Sequence, residues 1–194
     1  GNLTVKVLSE GVHSGDASGI VPSSFRIIRD LLSRIEDEDT GRVLIDGMHV
    51  DIPAERRAQA AKVAEVLGDE GFDKFPFLPG MTPMAEDRTE LVLNRTWRPA
   101  LSITGVDGIP PLASAGNVLR PHTALKLSLR LPPTLDGKRG GELLQAALLQ
   151  DPPYGAEVSM KLEKASTGWN APALAPWLEA AIDQSSQEFF GKPA

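Results

Sequence analysis

An α+β fold, one antiparallel sheet with helices on one face, is predicted by three features of this sequence. Four runs have strand character and two central runs have helical periodicity. With residues 40–96 left aside, their order is strand, helix, strand, strand, helix, strand. The clearest strand, "HTALKLSLRL", alternates without a break: Thr123, Leu125, Leu127, Leu129 and Leu131 face one way, and Ala124, Lys126, Ser128 and Arg130 the other. This is the ferredoxin-like, split βαβ plan, a four-stranded sheet that hosts many unrelated functions.

The elements follow in chain order. "LTVKVLS" alternates as a strand. After a glycine loop, Pro22 suits a first helical turn, and Phe25, Ile28, Leu31, Leu32 and Ile35 recur at helical spacing, predicting an amphipathic helix over 22–36. "EDEDTG" ends it as a solvated loop. "RVLI" is a short strand candidate, and "PAERRAQAAKVAEVLG" a helix opened by Pro53 and closed by Gly68. Residues 69–84, rich in Gly and Pro, read as irregular, and "AEDRTELVLNRTW" as a short helix. "PALSITGV" is a strand, and a turn-rich stretch, "DGIPPLASAGN", leads into the strand at 122–131. "GELLQAALLQ" is a helix with Leu143, Leu144, Ala147 and Leu148 on its apolar side; "AEVSMKLEKA" is the last strand, and "APALAPWLEAAIDQSSQEFF" a separate terminal helix.

Composition narrows the function. A net charge of −6 with no basic stripe argues against nucleic acid as a partner, and no apolar run is long enough to span a bilayer. The absence of cysteine removes disulfides and thiolate metal sites and fits a reducing compartment, predicting a cytoplasmic protein. The leading Gly1 and the abrupt end predict an excised piece of a longer chain.

No Walker loop, GxGxxG, HExxH or G-x-S-x-G elbow occurs. In "GVHSGDASGIVPSS", His13 lies between small residues on a glycine-rich loop, which reads either as a loop presenting its imidazole or as a turn whose histidine faces water. Ser14 beside it is a poor nucleophile–base partner, because neighbours in extended chain point to opposite sides. A phosphate cradle at 15–22 is opposed by Asp16. "HVDIP" pairs His49 with Asp51 as two potential metal ligands, but two do not make a site, and Pro53 is better explained as a helix start.

"GVHSGDASGIVPSSFRIIRDLLSRI" resembles the start of the lid, or dimerisation, domain of the two-zinc peptidase family of carnosinases, cytosolic dipeptidases, aminoacylases and succinyl-diaminopimelate desuccinylase. "GNVLRPHTALKLSLRLPP" resembles the family stretch in which Asn or Thr precedes a strand ending in Ser-x-Arg-Leu-x-Pro. "GRVLIDGMHVDIPAERR" and "LVLNRTWRPALSITGVDG" resemble the insertion of the carnosinase-type branch. The sequence departs at Arg120 and Pro121, where relatives often have Pro and Ala.

The resemblance implies a lid over residues 1–168, with its insertion at about 40–96, followed by a helix at 169–194 that begins the returning catalytic domain. It implies that all ligands of two zinc ions lie outside this chain, so that residues 1–194 bind no metal and are inactive alone. It implies His13 as donor to the oxyanion of a tetrahedral intermediate in a neighbouring subunit, and Asn117 as a polar substrate contact, also across a homodimer. Arg130 would grip the terminal carboxylate of a dipeptide or N-acyl amino acid, its guanidinium fork matching a carboxylate; the alternative is an Arg paired with a surface acid. Gly15 and Gly19 shape the loop. The dimer is expected through the strand at 99–105 and the helix at 22–36. The alternative function is a stand-alone ferredoxin-like binding or regulatory module without a catalytic partner.

Overall fold

A computed structural model describes residues 1–194. The sheet comprises β1 (Asn2–Lys6), β3 (Ala100–Asp107), β5 (His122–Arg130) and β6 (Glu157–Lys161), in the order β3-β5-β1-β6 with every neighbouring pair antiparallel. This is the split βαβ order. A second ribbon pairs β2 (Val12–His13) with β4 (Val118–Leu119).

Strand alternation sets the core. Leu3 lies opposite Leu125 on one side and Met160 on the other, and Val5 opposite Thr123 and Val158. Over this face α2 (Ser24–Ser33) lays Ile27, Ile28 and Leu31, and α6 (Gly137–Leu149) lays Leu144 and Leu148, with Val43 and Met48 completing the same cluster. Leu3 is fully buried. Its truncation to alanine should cost about 2–5 kcal/mol in unfolding free energy, read as a lower urea midpoint at unchanged slope; a loss under about 1 kcal/mol would mean the site collapses without a cavity.

Several boundaries differ from expectation, each for a local reason. The helix expected over 22–36 begins at Ser24, because the Ser23 hydroxyl accepts the Arg26 N–H and caps it. Phe25, expected in the core, is exposed, and the buried stripe runs instead through Ile27. "RVLI" is no sheet strand: only Val43 bridges to Glu36, and Val43 and Ile45 reach the core from a loop folded around the acidic run. The second core helix starts four residues before the "GELLQAALLQ" segment. Asp136 caps it, accepting the Arg139 N–H at 2.9 Å, and a Cβ on Gly140 would stand 2.6 Å from Leu131 Cδ1. The glycines that weaken the helical signal therefore serve close packing.

The insertion holds α3 (Ala54–Leu67), the short α4 (Glu70–Asp73) and α5 (Arg88–Thr96), with α3 and α5 joined through a small cluster of Ala60, Leu93 and Trp97. Pro53 stands at the N-cap of α3, one residue before its first turn. The terminal helix, α7 (Pro176–Phe190), has no buried residue and exposes Trp177, Phe189 and Phe190. No helix is long and apolar enough to cross a membrane.

Three carboxylates tie stability to pH. The Arg139 amide and then the Thr167 hydroxyl hold Asp136 below the ordinary aspartate range. The Thr40 hydroxyl and amide do the same for Asp37, and Lys126 followed by Asn2 for Glu163. Burial pushes Glu36 the other way. A carboxylate with a depressed folded pKa contributes stability that is complete above its unfolded pKa and lost as pH falls through the folded one. The three depressed carboxylates predict a urea midpoint that drops as pH falls below their ordinary range of about 4, with Glu36 acting in the opposite sense above it, and a shallower drop in Asp136→Asn. A midpoint that rises on acidification below that range would contradict this assignment.

Candidate functional site

His13 closes β2 and caps the short α1 (Ser14–Ala17). The Gly15 N–H donates to His13 Nδ1 at 3.1 Å. An imidazole nitrogen that accepts a backbone N–H carries no proton, so in the neutral ring the proton sits on Nε2. The side chain is 63% exposed, and Nε2–H is therefore a donor facing outward. The Asp16 carboxylate stands 3.9 Å from Nδ1 on a nearly fully exposed side chain, too remote and solvated to compete with the amide. Gly15 shapes this arrangement, because a Cβ there would stand 2.8 Å from the ring, and Gly19 adopts φ +88°. Ser14 contributes its amide: Ser14 N–H donates to the Asn117 carbonyl at 3.0 Å, while His13 pairs with Val118. The fold thus brings His13 and Asn117 together on one exposed ribbon.

Arg130 is elsewhere. It ends β5 on the side opposite the core-facing leucines, paired with Ala100 of the edge strand. β5 spans nine residues from His122, about 26 Å at roughly 3.3 Å per residue. The ribbon leaves the sheet at the His122 end, where the Val7 N–H meets the Pro121 carbonyl. Arg130 lines a cleft of about 560 Å³ together with Ser128, Lys164 and the start of α6. Its neighbour Lys126 is neutralised by Glu163 at 2.9 Å, but no carboxylate of the chain pairs with Arg130. The surface ion pair weighed as the alternative for Arg130 is absent, leaving an open guanidinium fork.

A metal centre does not fit the residues of this chain. No three His, Cys, Asp or Glu side chains form a group that could hold an ion. His49 Nε2–H donates to the Val43 carbonyl at 2.7 Å, which gives it a structural part in the loop. His122 lies 3.8 Å from Asp107 at the end of the sheet. Ser24 and Gly108 at the ribbon's base carry no local signal in the sequence; Arg120 shows only as half of the Arg-Pro pair that departs from the family pattern.

The chain is thus an antiparallel split βαβ sheet with an exposed polar ribbon at one end and an arginine without an acidic partner at the other. Residues 1–155 match the peptidase dimerisation domain, M20_dimer, and the chain belongs to that family. The Cys-Gly metallodipeptidase DUG1 of Saccharomyces cerevisiae is 26% identical over 138 residues, 71% of this chain and 28% of that protein. Among solved structures, the dipeptidase Dug1p from S. cerevisiae superposes with a TM-score of 0.71 at 21% identity, over 99% of this chain and 40% of that one. Human carnosine dipeptidase 1 gives 0.70 at 20% identity, over 99% and 41%. The M20 family metallo-carboxypeptidase Sso-CP2 from Sulfolobus solfataricus gives 0.68 at 19%, over 99% and 42%. The chain thus spans well under half the length of each of these relatives.

Proposed function

We propose that this chain is the lid and dimerisation domain of a zinc-dependent, dipeptidase-like amide hydrolase. It supplies oxyanion-stabilising and substrate-binding groups to active sites whose pair of zinc ions is held outside residues 1–194. Metal would activate water and polarise the scissile carbonyl there. Residues 1–168 are the lid, and 169–194 begin the return into the catalytic domain, whose surface would cover the exposed aromatic side chains of α7. The substrate is a dipeptide or N-acyl amino acid, and the compartment is the cytoplasm. Membership of the dimerisation-domain family favours this reading over a stand-alone module.

The observation that carries the proposal is the separation of the ribbon from Arg130. No dipeptide can touch both ends of a strand about 26 Å long. The outer edge of β3 is unpaired, with Ile103 46% and Val106 59% exposed, and α2 lies on the flank nearest it. Two copies joined antiparallel through β3 would set Asp107 of one beside Ala100 of the other. Ala100 pairs with Arg130, and Asp107 lies at the ribbon end. Each end of the doubled sheet then holds one chain's Arg130 and its partner's ribbon, with the two β5 strands about 14 Å apart across three strand spacings. His13 and Asn117 serve the neighbour's site, and Arg130 its own.

Static light scattering on this chain tests the edge. Twice the 20.8 kDa of one chain is expected, and Ile103→Lys should give monomers, because a lysine pointing into a paired edge blocks it. A wild-type monomer at high concentration would overturn the arrangement.

A further inference from the structure

We propose that Arg120 is the positioning residue that holds the His13–Asn117 ribbon at its working angle to the sheet. This rests on the reading of that ribbon as the donor of His13 to an active site.

The ribbon has only two residue pairs, and so short a two-stranded ladder does not hold its own direction. Its angle must be set where it leaves the sheet. On the β2 side, the Val7 and Leu8 amides both donate to the Pro121 carbonyl, at 2.9 and 3.3 Å. On the β4 side, Arg120 is held from two directions. Its carbonyl accepts from the Ser24 hydroxyl at 3.4 Å, and Ser24 is itself 1% exposed and bonded to Thr123 Oγ1 at 2.9 Å. Its guanidinium Nε–H donates to the Gly108 carbonyl at 2.8 Å.

Gly108 is a specific receiver. It adopts φ +83°, and a Cβ there would run into the His122 carbonyl oxygen, so the turn after β3 needs glycine and delivers its carbonyl to a fixed place. Pro121 restricts Arg120 to extended backbone, removing freedom at the exit point. Arg120 thereby joins the end of β3, the start of α2 and the base of β4. The Arg-Pro pair that departs from the family pattern thus has a physical role. A charge-assisted bond from the Arg120 side chain fixes β4, which Asn117 directly precedes, and through the Ser14–Asn117 bond it fixes His13.

Arg120→Met keeps the aliphatic stem and removes the donor. In this chain, hydrogen exchange at the Ser14 amide reports the ribbon, and the Leu127 amide, bonded to the Gly1 carbonyl, reports the sheet. Exchange at Ser14 should accelerate about 10-fold or more, with Leu127 unchanged. In the full-length enzyme, Arg120→Met should lower kcat about 10-fold, and in kcat should add nothing to His13→Ala, since two residues acting through one group are not additive. Unchanged exchange at Ser14 would overturn the proposal, as would a loss that multiplies onto that of His13→Ala. If His13→Ala leaves kcat intact, the catalytic reading of the ribbon fails, and Ser14 exchange alone decides whether Arg120 positions it.

Discussion

His13→Ala in the full-length enzyme should lower kcat by about 10²–10³-fold, the usual loss for one oxyanion donor, with KM for dipeptides nearly unchanged. The tautomer is the reason. With Nδ1 occupied by the Gly15 amide, Nε2 can only donate in the neutral ring, and it does so from an exposed ribbon tip. Such a donor meets negative charge that develops in the transition state and offers little to the ground-state carbonyl, so the effect falls on kcat. His13→Gln, which retains an N–H donor, should recover part of the rate. A variant with a raised KM and an intact kcat would make His13 a substrate-binding group only.

Arg130→Ala should act in the opposite column. It should reduce kcat/KM for free dipeptides by about 30–150-fold, mostly through KM, because a charge-assisted bidentate pair contributes roughly 2–3 kcal/mol. The fork is available for this role: the nearby lysine, Lys126, is paired with Glu163, and no acid of the chain engages Arg130. A substrate with an amidated C-terminus should lose most of the sensitivity. Arg130→Lys should restore little, since an ammonium cannot present two parallel donors. Equal damage with both substrates would mean that Arg130 holds the strand end and not the substrate.

The sheet is legible in the sequence wherever one face is buried. The alternation of Thr123, Leu125 and Leu127 identifies β5, because period 2 survives in a strand with a dry side and a wet side. "RVLI" misleads for the same reason: Val43 is buried in the core and Ile45 packs against it, but their chain finds no neighbouring strand beyond the bridge to Glu36. Phe25 fails as a core residue because α2 begins late and buries a stripe through Ile27, a rotation that periodicity alone does not resolve. At the site, the glycine-flanked loop points to His13. Asn117 and Arg130 come from the family resemblance, because the bond from Ser14 to Asn117 joins segments far apart in the chain and leaves no local signature. The opposite placement of the ribbon and Arg130 requires strand register and direction, which only the folded sheet supplies.

The most direct test is a mixed dimer of full-length His13→Ala and Arg130→Ala subunits, with subunit exchange verified independently. If His13 works in the neighbour's site and Arg130 in its own, one site of each mixed dimer keeps both groups and the other loses both. Activity on a free dipeptide should then recover to about half that of the wild-type dimer, well above either parent variant. If both residues served the same chain's site, or both served the neighbour's, every site would lack one group. Activity that stays at the level of the parent variants in verified mixed dimers would contradict the account.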